Sequence, residues 1–217
     1  MTSAEMYQRT LELLNKEHTG TIYPEEFDIF INIAQEAWLK NRYAEVGLTE
    51  KRIDDLREVK VILPGIAPVA QNTFDLPGDY LFMLAAAFRL QYFNSTDPCV
   101  EDGTISDIEI IGTPARSDQK YVQIYDPWSK PNNWRLYYDQ VGTQIKLITG
   151  TDSIAQSATF EYLREPAAIQ VTGVPVDCEL SRETHQEIVD LCVRKVLEVI
   201  ESGRYQTFLV ENKSTIV

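Results

Sequence analysis

The sequence predicts an α+β fold: a helical bundle formed by N-terminal helices and a long C-terminal helix, with an inserted β-rich domain. Three observations carry this expectation. Apolar residues recur at helical spacing at both ends of the chain, before residue 60 and again within 178–204. Between them, from Tyr80 to Ile169, the chain is rich in Tyr, Phe, Ile, Val and Thr and is broken by DP, DG and GTP turns. The joining stretch VILPGIAPVAQNTFDLPGDY holds three prolines and two glycines and reads as an extended linker. The implied parts are 1–62, the N-terminal share of the bundle, 63–176, the inserted β-rich domain, 177–204, the closing helix, and 205–217, a tail.

The first helix spans 3–16, and Thr2 and Glu5 have the spacing of a capping box in front of it. A polar break at 18–21 precedes a second helix that opens Tyr23-Pro24-Glu25-Glu26, where proline's missing N–H costs nothing. Phe27, Phe30, Ile31, Ala34 and Trp38 fall on one face of it, and Ile29, Ile33 and Ala37 on a second. A helix apolar on nearly all sides is expected at the centre of a body. A third helix is expected over 50–60, with Ile53, Leu56 and Val59 apolar.

Strands are expected at 81–92, 107–112, 120–125, 134–139, 143–149 and 158–164, with a hairpin around Gln140 to Thr143. LFMLAAAFRLQYF suits a helix by its three alanines and a strand by its aromatic ends. The closing helix has Ser181 as N-cap, Glu183 beside the positive end of the helix dipole and Gly203 at its stop. Its apolar stripe runs through Ile188, Cys192, Val196 and Val199 and is wide enough to need neighbours. Those neighbours are sought at the other end of the chain.

At 217 residues and 44% hydrophobic content the chain can bury a sizeable core. A net charge of −13 argues against general binding to a nucleic-acid backbone, which needs clustered Lys and Arg. Cys99, Cys178 and Cys192 form no CxxC pair, so a reducing compartment is expected. No apolar run of about 18 residues occurs, and MTSAEMYQRT lacks the basic start of a signal peptide, which predicts a soluble protein made in a cytoplasm.

A chemical centre is not expected. His18 and His185 stand alone, without HExxH or a His–Cys cluster, so no metal is called for. Phosphate-cradling glycine loops and a GxSxG elbow are missing, which leaves no catalytic residue and no cofactor to name. Asp97, Glu101, Asp102, Asp107, Asp126 and Asp139 read as carboxylates of solvated turns. The loop DPWSKPNNW differs from its surroundings, with two prolines and two tryptophans in nine residues. It is stiff and apolar at once, and aromatic anchors dominate protein interfaces, so Trp128, Pro131 and Trp134 are candidate interface residues. Arg204, Tyr205, Phe208 and Leu209, beyond the closing helix, are candidates as a segment that orders on a partner.

Several motifs follow one another in a telling order. They are the YPEEF start at Tyr23–Phe27, Ala34-Gln35, LPGDY at Leu76–Tyr80, DPWSKP at Asp126–Pro131, EYLREP at Glu161–Pro166 and GRYQT at Gly203–Thr207. In that order the chain resembles the head-to-tail adaptor, or tail ring, proteins of short-tailed bacteriophages, most of all the ring proteins of crAss-like phages. The resemblance implies a helical bundle from both chain ends with a β domain inserted. It further implies a homo-oligomeric ring of about twelve copies under the portal protein of the virion. Such a ring continues the DNA channel without binding DNA specifically, meets further tail proteins and performs no catalysis. Other readings are a collar ring further from the portal, a glycan-binding protein using the aromatic loop, and a carboxylate-dependent glycan hydrolase of the tail.

Overall fold

The structure, a computed structural model, describes residues 1–16, 22–45, 54–93, 103, 105, 108–115, 126, 128–132, 134–150 and 153–199. The chain divides into two compact units, one from Met1–Val59 with Pro166–Val217 and one from Lys60–Glu165.

The first unit holds α1 (Ser3–Lys16), α2 (Pro24–Glu45) and α3 (His185–Val199). The capping box forms as its spacing predicts: Thr2 N–H donates to Glu5 Oε2 at 2.9 Å and Glu5 N–H to Thr2 Oγ1 at 3.2 Å. Pro24 opens α2, and Phe27, Ile31, Ala34 and Trp38 are buried on one face. Along α3, Ile188, Val189, Cys192, Val193, Val196 and Leu197 are buried. Ser181 is not its N-cap. The Ser181 carbonyl instead accepts the Thr184 N–H and hydroxyl, at 3.0 and 2.9 Å, in a turn that precedes the helix. Of the helix expected over 50–60, residues 50–53 lie outside the described residues, Asp54 is helical, and residues 55–59 are turns. There, Arg57 N–H reaches Asp54 O and Val59 N–H reaches Leu56 O, which are three-residue turns, and Lys60 already belongs to a strand. Leu56 and Val59 are buried all the same.

The second unit is a seven-stranded mixed sheet. Its strands are β1 (Lys60–Ile66), β2 (Thr73–Asp75), β3 (Tyr80–Tyr92), β4 (Ile110–Pro114), β5 (Leu136–Val141), β6 (Gln144–Ile148) and β7 (Ser153–Arg164). The order across the sheet is β1-β7-β3-β4-β5-β6-β2, antiparallel throughout except that β4 and β5 are parallel. β2 and β7 are five places apart, which in a flat sheet is about 24 Å at the usual strand spacing. Yet the rings of Phe74 on β2 and Phe160 on β7 are 6.2 Å apart, and each also meets Phe88 on β3. The sheet therefore curls into a nearly closed barrel around these rings. Register shifts between β3 and β7 at Tyr80/Phe82, Met83/Ala85 and Arg89/Leu90 supply local bends of the kind that bulges make.

This overturns the expected fold class. The chain is mostly a seven-stranded sheet rolled toward a barrel, with three helices among the described residues, and not a helical bundle carrying an inserted β domain. The stretch read as a linker accounts for part of the difference, while LFMLAAAFRLQYF takes the strand alternative expected at 81–92. Leu81 to Tyr92 of that stretch belong to β3, thirteen residues long, near the middle of the sheet. Its small Ala86 lies inside, opposite Phe160, where a narrow barrel needs short side chains between large rings. The stretch read as a linker, Val61 to Tyr80, contributes β1 and β2, the two edges of the sheet. Proline and glycine there mark an edge strand and a sharp link between edges.

The expected strands near 107–112, 134–139, 143–149 and 158–164 correspond to β4, β5, β6 and β7, with shifted bounds. Val141 pairs with Gln144 across the hairpin, and Gly142 takes φ +60°, a conformation costly for other residues. The expected strand at 120–125 lies outside the described residues.

Candidate functional site

Two surfaces stand out, one in each unit. The first is the tryptophan loop that leads into β5. Its shape comes from two side chains that stand in for backbone partners, as Asp and Asn do in turns. Asp126 accepts the Ser129 hydroxyl at 2.8 Å through its carboxylate, and its carbonyl accepts the N–H groups of Ser129 and Lys130 at 3.1 and 2.9 Å. Asn132 Oδ1 accepts the N–H groups of Trp134 and Arg135 at 2.9 and 2.8 Å. Arg135 Nη1 then donates to the Trp128 carbonyl at 2.7 Å and ties the two turns together. The braced loop leaves Trp128 89% and Trp134 80% exposed, with Pro131 half-buried between them. Trp128 is the most exposed large apolar side chain among the described residues, and Trp134 shares second place with Val174.

Of the other aromatics in this stretch, Tyr137 and Tyr138 belong to the interior, and Tyr121 and Tyr125 lie outside the described residues. So do Arg204, Tyr205, Phe208 and Leu209. Among the carboxylates, Asp126 serves its own turn, and Asp97, Glu101, Asp102 and Asp107 are outside the described residues.

The second surface runs along α2. Asp28, Asn32 and Gln35 form a polar stripe that holds residues 167–172 against the helix. Asn32 accepts the Ile169 N–H at 2.8 Å and donates to the Ile169 carbonyl at 2.9 Å, as a strand neighbour would. Asp28 accepts the Val171 and Thr172 N–H groups at 2.8 and 3.2 Å, and also the Thr172 hydroxyl. Between helix and segment lies an open groove of about 590 Å³, bordered by Glu25, Asp28, Ile29, Asn32, Ile169 and Thr172. Ile29 is 62% and Ile33 44% exposed, so the second apolar face of α2 is uncovered in the isolated chain. The groove escaped the sequence reading. Its available signal was a polar residue at positions 28, 32 and 35 of α2, which is helical spacing.

Burial pushes the Cys192 thiol up to about 12, and Cys178 is raised for the same reason, so both are inert thiols. His185 is 4% exposed and packs within the first unit, with Nε2 2.9 Å from the Leu180 carbonyl and Nδ1 2.8 Å from the Met1 amino group. No group of three or more His, Cys, Asp or Glu side chains suited to a metal occurs among the described residues. None of the described helices is long and apolar enough to cross a membrane. No protein-family model matches the chain, and no curated protein does.

Proposed function

We propose that this chain is a structural virion protein, a ring component of a phage neck that joins the portal to the tail and continues the DNA channel. The helical body that the resemblance implied is not what the chain builds, so support comes from elsewhere. The observation that carries the reading is the braced loop with Trp128 and Trp134 in solvent, since paired, rigid aromatics are the commonest anchors of protein interfaces. The uncovered Ile29 and Ile33 supply a second apolar surface, and a ring subunit needs two, one for each neighbour. The order of motifs from YPEEF to GRYQT points to the neck of a short-tailed phage in particular. The net charge of −13 suits a conduit that DNA must pass without sticking.

The test is assembly. The purified chain, alone and with a portal ring, is examined by native mass spectrometry and negative-stain imaging. Closed rings of the chain are expected, at the latest once the portal is present. A chain that stays monomeric with the portal in excess would defeat the reading. A glycan array separates the main competitor, because the two exposed tryptophans also suit stacking on sugar rings; retention of a glycan that is lost in Trp128→Ala would favour that role.

A further inference from the structure

We infer that the tryptophan loop of one copy seats in the groove beside α2 of the next copy, a head-to-tail contact between two different surfaces of the same chain. The inference rests on the ring reading above and names the residues that would make the ring.

Shape is the first ground. Trp128 and Trp134 project from a loop that its own hydrogen bonds hold in place, so little ordering is needed on docking. The groove of about 590 Å³ is open to solvent and has the exposed Ile29 on its border, with Ile33 one turn further along α2. Each indole can bury about 150–250 Å² of surface there.

Charge is the second ground, and it decides between partners. Two copies of a chain with net charge −13 repel unless they meet through a locally positive surface. The loop is such a surface. Lys130 and Arg135 are exposed, Lys130 has no ion pair among the described residues, and the one carboxylate described in the loop, Asp126, is turned inward to Ser129. The groove is its complement. Glu25 is exposed at its border with no ion pair among the described residues, and Asp28 stands beside it. A contact of two α2 faces with each other would instead set Glu25 and Glu26 of one copy against the same residues of the other. The surfaces therefore pair as unlike halves, and a contact between unlike halves propagates around a ring instead of stopping at a dimer.

The experiment uses full-length chains under the conditions in which the unaltered chain assembles. Trp128→Ala/Trp134→Ala leaves the groove intact, and Glu25→Lys/Ile29→Lys leaves the loop intact. All four positions are exposed or at a groove border, so both variants are expected to keep the circular dichroism spectrum of the unaltered chain. Each alone should need about thirty-fold or more higher concentration to assemble, the loss expected for removing an anchor of this kind. Mixed in equal amounts, they should form a heterodimer and nothing larger in native mass spectrometry, because one good loop meets one good groove. Lys130→Glu should weaken assembly about tenfold, and Glu25→Lys in the same chain should restore it.

Three results would overturn the inference. If either double variant assembles like the unaltered chain, the loop and groove are not the contact, although the ring reading stands. If both fail alone and their mixture gives no heterodimer, the two surfaces do not meet. If the unaltered chain assembles under no condition, portal included, the ring reading falls and this contact with it.

Discussion

The indole N–H of Trp38 on α2 donates to Glu187 Oε2 on α3 at 2.7 Å. The same oxygen accepts Arg42 Nη2 at 2.7 Å, and the Arg42 guanidinium lies 5.4 Å from the centre of the Trp38 ring. One carboxylate thus holds the buried side of α2 to the first turn of α3. Glu187→Ala should cost about 1–2 kcal/mol, the range for hydrogen bonds to a charged group, lowered here because the carboxylate is half in solvent. Glu187→Gln keeps an acceptor for the indole and should cost less. Urea unfolding of both variants checks this, and equal midpoints for all three proteins would show that the contact contributes nothing.

Asp28 satisfies two backbone N–H groups, of Val171 and Thr172, that have no helix or strand to serve them. Asp28→Ala should destabilise the chain by about 1–3 kcal/mol by leaving those donors unpaired. Amide exchange should rise at Val171 and Thr172 before it rises in α3. Unchanged protection at both amides would refute the role given to Asp28.

Gly112 on β4 sits against the barrel's aromatic core. A Cβ there would lie 2.7 Å from Phe88 Cε2 and 3.0 Å from Tyr138 Cδ1. Phe88 is fully buried among Phe74, Phe160 and Tyr138, so its ring has nowhere to move. Gly112→Ala should cost about 1–3 kcal/mol through overpacking. A thermal midpoint equal to that of the unaltered chain would mean that the interior is looser than these distances imply.

Burial, first of all, holds the His185 imidazole below its ordinary value, with Arg182 and the Met1 amine adding to it and the Leu180 carbonyl and Asp177 opposing. The unfolded chain therefore takes up this proton more readily than the folded one. Stability is full above the ordinary value of about 6.5 and is lost as pH falls from there toward the lower folded value. Asp177 is held low by the Ser3 N–H, at 2.6 Å, so its contribution persists until pH falls below 3.8 and through its folded value. Between about pH 7 and pH 5 the urea midpoint of the unaltered chain should fall, and that of His185→Gln should fall less. A flat profile for the unaltered chain would contradict this.

Trp128→Ala/Trp134→Ala should leave the isolated chain as stable as before, within about 0.5 kcal/mol, since exposed side chains away from caps and networks contribute little to folding. A large loss of stability in denaturant would mean that the indoles serve the fold and not a partner.

Local features were legible in the chain alone. The capping box of Thr2 and Glu5, the proline start of α2, the hairpin at Gly142 and the burial of Phe27, Ile31 and Trp38 each depend on residues within a turn or two of one another. The tryptophan loop was also legible, because Pro and Trp in such density are rare wherever the chain places them. Its bracing by Asp126, Asn132 and Arg135 was not, since those bonds depend on the path of the loop.

The sequence by itself determined roughly where α1, α2, α3 and β4 to β7 lie and that Trp128 and Trp134 belong to an unusual surface. Only the tertiary structure decided which architecture prevails. LFMLAAAFRLQYF is a central strand because β7 pairs along nearly all of it, and the supposed linker is two edge strands because the curled sheet brings Phe74 to Phe160. Strand partners are chosen across scores of residues, and curling is a property of the whole sheet, so neither is written in any short window. The α2 groove had the same origin, since Asp28 and Asn32 find Thr172 and Ile169 more than a hundred residues away, by way of the fold and not of the local chain.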